Sequence, residues 1–292
     1  MGYLHIDNLY KDTTILLFKE CYAMEKIHGT SAHIRWKGDE KKVILFSGGA
    51  KFSEFEKLFD KEAFQKKIED VGWIDSDVTF YGEAYGGKMQ GMSKTYGKEL
   101  KFVVFDVFKD NVWLNAPNAS NVAHSFGFDF VAFERVSTNI ESLDAERDRP
   151  SRQAKKNGIL EDLPAEGVVL RPIEEFTMNN GKRVICKHKR AEFMETAHEK
   201  KVDPEKRSVM EKTKEIADEW VVPMRLNHVL DKIGNPTDTK NIPKVISAMV
   251  EDVKREAEGF IVWNKETEKA ISQKTAIMFK KHLENKIREN FG

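Results

Sequence analysis

The pattern of apolar and polar positions changes near residue 195. Before it, short apolar runs alternate with turns that carry glycine. "SAHIRWK" and "KKVILFSGG" predict two strands joined at Gly38-Asp39. In "SEFEKLFDKEAFQKKIEDVG", Phe55, Leu58, Phe59 and Ile68 recur near helical spacing, and the segment closes at Gly72. "DVTFYGEAYGG", "ELKFVVFDVF", "EGVVLRP" and "KRVICKHKR" predict further strands. After residue 195 the helical period takes over. "DPEKRSVMEKTKEIADEWVV" offers Asp203 as N-cap and Pro204 at the first helical position. "VPMRLNHVLDKIGNP" ends in glycine and proline, "IPKVISAMVEDVKREAEG" stops at Gly259, and "KETEKAISQKTAIMFKKHLENKIREN" is long and charged. The pattern predicts a domain of mixed strands and helices over residues 1–200 and a helical domain over 201–292.

Composition narrows the class. Of 292 residues, 40% are hydrophobic and 33% charged, which predicts a soluble protein with a substantial core. Lys+Arg and Asp+Glu balance at 48 each, so a polyanion site has to come from local clustering. Cys21 and Cys186 are too few for a disulfide framework and fit a reducing compartment. The first residues lack a signal-peptide core, and Ile6 stands where a myristoylation motif needs Ser or Thr. No apolar run reaches membrane-spanning length. The expectation is a cytoplasmic, monomeric protein without a membrane partner.

The candidate chemistry begins at Lys26 in "MEKIHGTS". A lysine with a pKa of about 10.4 offers the free amine in about one molecule in 2500 at neutral pH. It becomes a nucleophile where a desolvated pocket or nearby cations lower that value. Most lysines beside turns are solvated charges. Other residues change the picture. Glu83 precedes a Gly-Gly turn, Glu166 opens a predicted strand that continues to Arg171, and Lys187 and Lys189 share one strand face. Carboxylates can hold ribose hydroxyls or a divalent metal, and paired lysines can hold phosphate. Together they suit phosphoryl transfer to a nucleophilic amine.

The order K-x-H-G-T, G-E-x-Y-G, F-D-V, E-G-V-V and K-x-K resembles the covalent nucleotidyltransferases. Within them it resembles the ATP-dependent RNA ligases of the phage RNA ligase 2 group, over residues 24 to about 192. The resemblance implies an α+β fold: a nucleotidyltransferase domain of antiparallel sheets flanked by helices, followed here by an all-helical domain. It implies that ATP adenylylates an enzyme lysine, AMP passes to an RNA 5′-phosphate, and an RNA 3′-OH seals the bond. Lys26 would be the nucleophile and His28 would assist at the active-site turn. Glu83 would contact ribose and Phe105 would stack on adenine. Glu166 would serve the metal, Mg2+ or Mn2+, and the catalytic centre. Lys187 and Lys189 would contact the AMP phosphate, and Glu25 and Ile27 beside the lysine would join the nucleotide site.

The chain departs from that pattern twice. Ser31 stands where asparagine usually follows H-G-T, and "LFSGGAKFS" holds no arginine, leaving Lys51 or the Gly48-Gly49 backbone to face phosphate. Other features read two ways. Phe105 alternates with Val103 and Val107 as a core residue would, Asp106 could meet a metal or a turn, and Arg171 could pair with a carboxylate or reach substrate. His33 and His188 read as ordinary strand residues. The loop 86–100, with Lys88, Lys94 and Tyr96, suits closure over substrate or plain solvation. The run 145–158, with Arg147, Arg149, Arg152, Lys155 and Lys156, suits an RNA backbone or a solvated surface. A DNA ligase or capping guanylyltransferase is the first rival, but each usually appends a small all-β barrel where this chain reads as helix. A non-catalytic RNA- or nucleotide-binding module is the second.

Overall fold

The computed structural model describes residues 2–178, 180–193, 204–258 and 261–291, with side chains at all of these except 204–208, 210–211 and 287–291. Asp203, read as a helix cap, and Gly259, read as a helix stop, lie outside the described residues. The chain forms two compact units, Met1–Lys200 and Lys201–Gly292.

The first unit is built on two sheets. One holds β1 (Asp7–Asn8), β2 (Glu20–Lys26), β8 (Phe133–Ser137), β9 (Gly167–Pro172) and β10 (Cys186–Lys189), in the order β1-β10-β9-β2-β8. The other holds β3 (Thr30–Lys37), β4 (Lys42–Ser47), β5 (Val78–Gly86), β6 (Leu100–Lys109) and β7 (Val112–Trp113), in the order β4-β3-β5-β6-β7. All pairings are antiparallel except β1 with β10. Helices α1 (Phe52–Phe55), α2 (Lys61–Asp70), α3 (Ser93–Tyr96), α4 (Ala116–Ser125), α5 (Ile140–Arg147) and α6 (Arg152–Lys156) flank them. The expected α+β architecture of antiparallel sheets and flanking helices is the one observed.

Strand alternation decides which side chains enter the core. Ala32, Ile34 and Trp36 of β3 are buried at every second position, with Ile34 opposite Phe80 and Trp36 opposite Val78. Helix α2 adds Phe64 and Ile68, four apart on one face, and Phe64 meets the Phe80 ring at 5.8 Å. One continuous core runs from Ile34, Trp36, Phe64, Ile68 and Phe80 to Met24 and Ile27 beside Lys26, while Ala32 packs in a smaller cluster with Phe55 and Ala84. Residues 129–132 stitch the sheets together. Val104 donates to the Asp129 carbonyl at 2.8 Å, and Glu25 donates to the Ala132 carbonyl at 2.8 Å.

Several local expectations change. The single helix predicted over 53–72 is two helices joined by a 3-10 turn at Glu56–Leu58. The break follows from Asp60, whose side chain caps α2 by accepting the Ala63 N–H at 3.0 Å. Of "KRVICKHKR" only Cys186–Lys189 forms a ladder strand, and Arg183 makes one isolated bridge to Thr177. The loop 86–100 contains a 3-10 turn and α3, and its Tyr96 is fully buried. The basic run 145–158 spans the end of α5, the link after it and α6, and its cations form ion pairs. Arg147 meets Asp144 and Asp148, Arg149 meets Glu146, Arg152 meets Glu134, Lys155 meets Asp162, and Lys156 meets Asp129. These cations are paired with carboxylates, and Arg149, Lys155 and Lys156 remain about half exposed at the surface.

In the second unit α7 (Pro204–Trp220), α8 (Pro223–Lys232), α9 (Ile242–Glu256) and α10 (Lys265–Phe291) have a core of their own, including Leu226, Leu230, Val245, Met249, Ile271 and Phe279. Proline stands in the first turn of α8 and of α9, where its missing N–H costs no helical bond. Among the described residues no helix is long and apolar enough to cross a membrane.

Candidate active site

Lys26 ends β2, and the turn Ile27-His28-Gly29 carries the chain into β3 in the other sheet. A glycine is needed at position 29. A Cβ there would stand 2.4 Å from the Ala84 carbonyl oxygen, too close for any side chain. The close approach lets Glu83 reach back, and its Oε1 accepts the Gly29 N–H at 3.1 Å.

Lys26, His28 and Lys189 converge on Glu166, which immediately precedes β9. Lys26 Nζ donates to Glu166 Oε2 at 2.9 Å, His28 Nδ1 lies 3.0 Å from the same oxygen, and Lys189 Nζ lies 2.8 Å from Oε1. A carboxylate only accepts, so His28 presents an N–H at Nδ1. The convergence depends on Gly167, the first residue of β9. Its φ is +145°, and a Cβ would stand 2.1 Å from the His188 carbonyl oxygen.

The electrostatics divide the two glutamates. Burial alone would raise the Glu166 carboxyl, but the hydrogen bond from His28, the charge of Lys26 and the hydrogen bonds from Lys189 and Lys26 outweigh it and hold it down at about 2. Burial pushes Glu83 up to about 7. The Lys26 charge opposes the rise, the nearby Glu166 charge adds to it, and the Gly29 N–H opposes it again.

A cavity of about 410 Å³ adjoins this cluster. Lys26, Ser31, Glu83 and Lys187 line it, as do Glu25, Ile27 and Phe105. Lys187 and Lys189, predicted on one strand face, serve two places: Lys187 lines the cavity, and Lys189 is held against Glu166. The Glu25 carboxylate is engaged elsewhere, by the Ser151 hydroxyl at 2.5 Å and the backbone N–H groups of Arg152 at 3.0 Å and Gln153 at 3.1 Å. Phe105 meets Tyr3 edge-on at 4.8 Å and is half-buried against the core on the cavity wall. The expected alternation with Val103 and Val107 is interrupted there, because the ladder passes from Gly82–Val104 to Tyr81–Asp106 and leaves Phe105 in a bulge.

Residues 3–6 also line the cavity, and no signal in the sequence marks them, because their place depends on the fold. Tyr3 donates to Asp106 Oδ2 at 2.6 Å. Asp106 is fully buried and also accepts from Arg171 at 3.1 Å and Arg183 at 2.7 Å, while Glu175 joins both arginines. Arg171 therefore pairs with carboxylates, and Asp106 is a structural anion in this network. Of the two histidines read as ordinary strand residues, His33 is buried and stacked on Phe46 at 5.1 Å. The other, His188, bonds Asp144 at 2.7 Å. Lys51, read as a stand-in for the absent arginine, is exposed and 4.0 Å from Glu54.

Among the described residues no group of three or more His, Cys, Asp or Glu side chains is arranged as a metal cage. Glu166 is the ionised carboxylate nearest Lys26. One carboxylate suits a cation that takes most of its ligands from water and substrate phosphate.

No curated protein sequence matches the chain. Among solved structures, it is similar to a Naegleria gruberi RNA ligase with pyrophosphate at 17% identity and a TM-score of 0.48, covering 67% of this chain and 57% of that one. It is also similar to two mutants of that ligase with AMP and Mn. One matches at 16% identity and a TM-score of 0.47, the other at 15% and 0.49, each covering 66% of this chain and 57% of that one. The chain thus spans a little over half the length of the Naegleria ligase. The model of the RNA ligase family matches residues 19–189, which is more than half of the chain and contains β2 to β10, Lys26, Glu83, Glu166 and Lys189, so the chain belongs to the RNA ligase family.

Proposed function

We propose that this RNA ligase family member is ATP-dependent, falls in the phage RNA ligase 2-like group, and joins RNA 3′-OH and 5′-phosphate ends through AMP carried on Lys26. The observation that carries the reading is the convergence of Lys26, His28 and Lys189 on the two oxygens of Glu166 beside the cavity. The first unit would be the adenylyltransferase and the second a helical appendage.

In the first step the Lys26 amine attacks the α-phosphorus of ATP. The N–P bond forms, the bond to pyrophosphate breaks, and the amine gives up a proton. In the second step an oxygen of the RNA 5′-phosphate attacks the same phosphorus, breaking the N–P bond and returning the lysine. In the third step the RNA 3′-OH attacks the 5′-phosphorus, loses its proton, and AMP leaves. Each step is an in-line displacement, so positioning and charge stabilisation do most of the work. Lys187 on the cavity wall and Lys189 against Glu166 would offset charge on phosphate. Phe105 offers the ring for adenine, Glu83 the acceptor for a ribose hydroxyl, and Glu25 and Ile27 the wall beside the lysine. Mg2+ or Mn2+ would be held by Glu166 and substrate phosphates and would supply further charge neutralisation. The helical second unit favours this reading over a DNA ligase or capping enzyme with an appended barrel.

The test is covalent transfer. Incubation with ATP and magnesium should add the mass of AMP, GTP should not replace ATP, and Lys26→Ala should remove the gain. Nicked RNA duplex, single-stranded RNA and nicked DNA offered to one preparation then read out the polymer. An unmodified wild-type protein rejects the reading.

A further inference from the structure

The turn that carries Lys26 and His28 is braced from behind by a buried polar relay that lies outside the cavity wall. Tyr96 is fully buried, and its phenol oxygen accepts the backbone N–H of His28 at 3.4 Å. Its ring stands edge-on to Tyr85 at 5.3 Å. Its carbonyl oxygen accepts from Asn157 Nδ2 at 2.9 Å. The Asn157 side-chain oxygen in turn accepts from the Tyr85 hydroxyl at 3.4 Å, and that hydroxyl accepts from Gln153 Nε2 at 2.8 Å. The other side of the turn is tied to the same segment. Glu25, immediately before Lys26, is 9% exposed and accepts from Ser151, Arg152 and Gln153. Residues 151–157 thus grip the active-site turn through Glu25 on one side and Tyr96 on the other.

The grip acts on a shared atom. Lys26 Nζ and His28 Nδ1 meet the same Glu166 oxygen, at 2.9 and 3.0 Å. A small displacement of the His28 backbone moves the imidazole on that oxygen and changes how the lysine amine is held. Tyr96 is absent from the cavity lining, and its hydrogen bond to the site is made through the backbone of the turn. Phenylalanine would fill the same space but leave the His28 N–H without this acceptor, and an orphaned backbone donor pulls the turn toward another partner.

We propose that Tyr96 is a positioning residue for the adenylylation of Lys26, acting through the His28 backbone and anchored by residues 151–157. The proposal rests on the reading of Lys26 as the nucleophile. It also gives the segment 86–100 a fixed role: its end is a strut under the turn.

The test compares wild type, Tyr96→Phe and Asn157→Ala by two measurements. One is single-turnover transfer of AMP to the protein over a range of ATP concentrations. The other is hydrogen exchange at the His28 amide, set against the amides of β5. The expected result is a fall of roughly 5- to 10-fold in the maximal transfer rate for Tyr96→Phe, as for the loss of one positioning hydrogen bond, with the ATP concentration at half-maximal rate changed less than about 2-fold. The His28 amide should exchange faster in Tyr96→Phe while the β5 amides keep their protection. Asn157→Ala should shift both measurements in the same directions. An unchanged maximal rate in Tyr96→Phe overturns the proposal while leaving Lys26 as nucleophile. So does a fall accompanied by equal loss of protection throughout β5, which marks general destabilisation. Absence of AMP transfer in the wild type overturns the underlying reading and this proposal with it.

Discussion

Glu166 gathers the charges of the candidate site, and its replacement should be the most damaging after that of Lys26. Glu166→Gln keeps the shape but leaves the cations of Lys26 and Lys189 without their common anion. AMP transfer should fall by about 10² to 10³, the range for loss of one preorganised charge contact, as measured by single-turnover labelling. Glu83 offers a pH test in the protein without nucleotide or metal. Its folded pKa of about 7 lies above the usual 4.5 of a glutamate, so the folded state holds the extra proton between those values. Stability contributed by that proton is present below the lower value and is lost as pH rises through 7. Glu83→Gln removes the titration, so its Tm relative to wild type should rise from pH 5 to pH 8. Glu166 has the opposite sign. Its folded pKa of about 2 makes its contribution complete above 4.5 and lost as pH falls toward 2. At this scale the residues of the candidate site were legible because they lie in short motifs around Lys26, Glu83, Glu166 and Lys187. Their partners were not. Glu25 sits beside the nucleophile in sequence, yet its carboxylate serves Ser151, which is 126 positions away.

Elements were legible where one periodicity held and misread where a side chain interrupted it. The strands around Ile34, Phe80 and Val104 were legible as short apolar runs between turns, whereas Asp60 cut the predicted helix by capping its second half. The basic run 145–158 could not be judged from sequence, because its neutralising partners Asp129, Glu134 and Asp162 come from other segments. Gly167→Ala sets a Cβ against the His188 carbonyl oxygen, a backbone atom that cannot swing aside. It should abolish AMP transfer by separating β9 from β10, and the circular dichroism melt should shift down. Asp106→Asn strips the anion from Arg171 and Arg183, both nearly fully buried, and leaves charge uncompensated. It should cost about 3–5 kcal/mol in chemical denaturation, the usual cost of breaking a buried ion pair from one side.

The whole molecule divides into two units with separate cores, and the candidate site residues all lie in the first. Phe279→Ala opens the core of the second unit where the ring is fully buried, and should cost about 3–5 kcal/mol there. AMP transfer to Lys26 at low temperature should survive that change, while loss of transfer would make the helical unit part of the adenylylation machinery. The sequence by itself determined the kinds of element, the change of texture near residue 195 and the short motifs that make up the candidate site. These are local properties, written in periodicity and in side-chain type over a few residues. Only the tertiary structure decided that Lys26, His28 and Lys189 share one carboxylate, that residues 3–6 wall the cavity, and that Asp106 belongs to a buried ion network. Those contacts join positions far apart in the chain, and nothing in a local pattern specifies which distant charge will close on which.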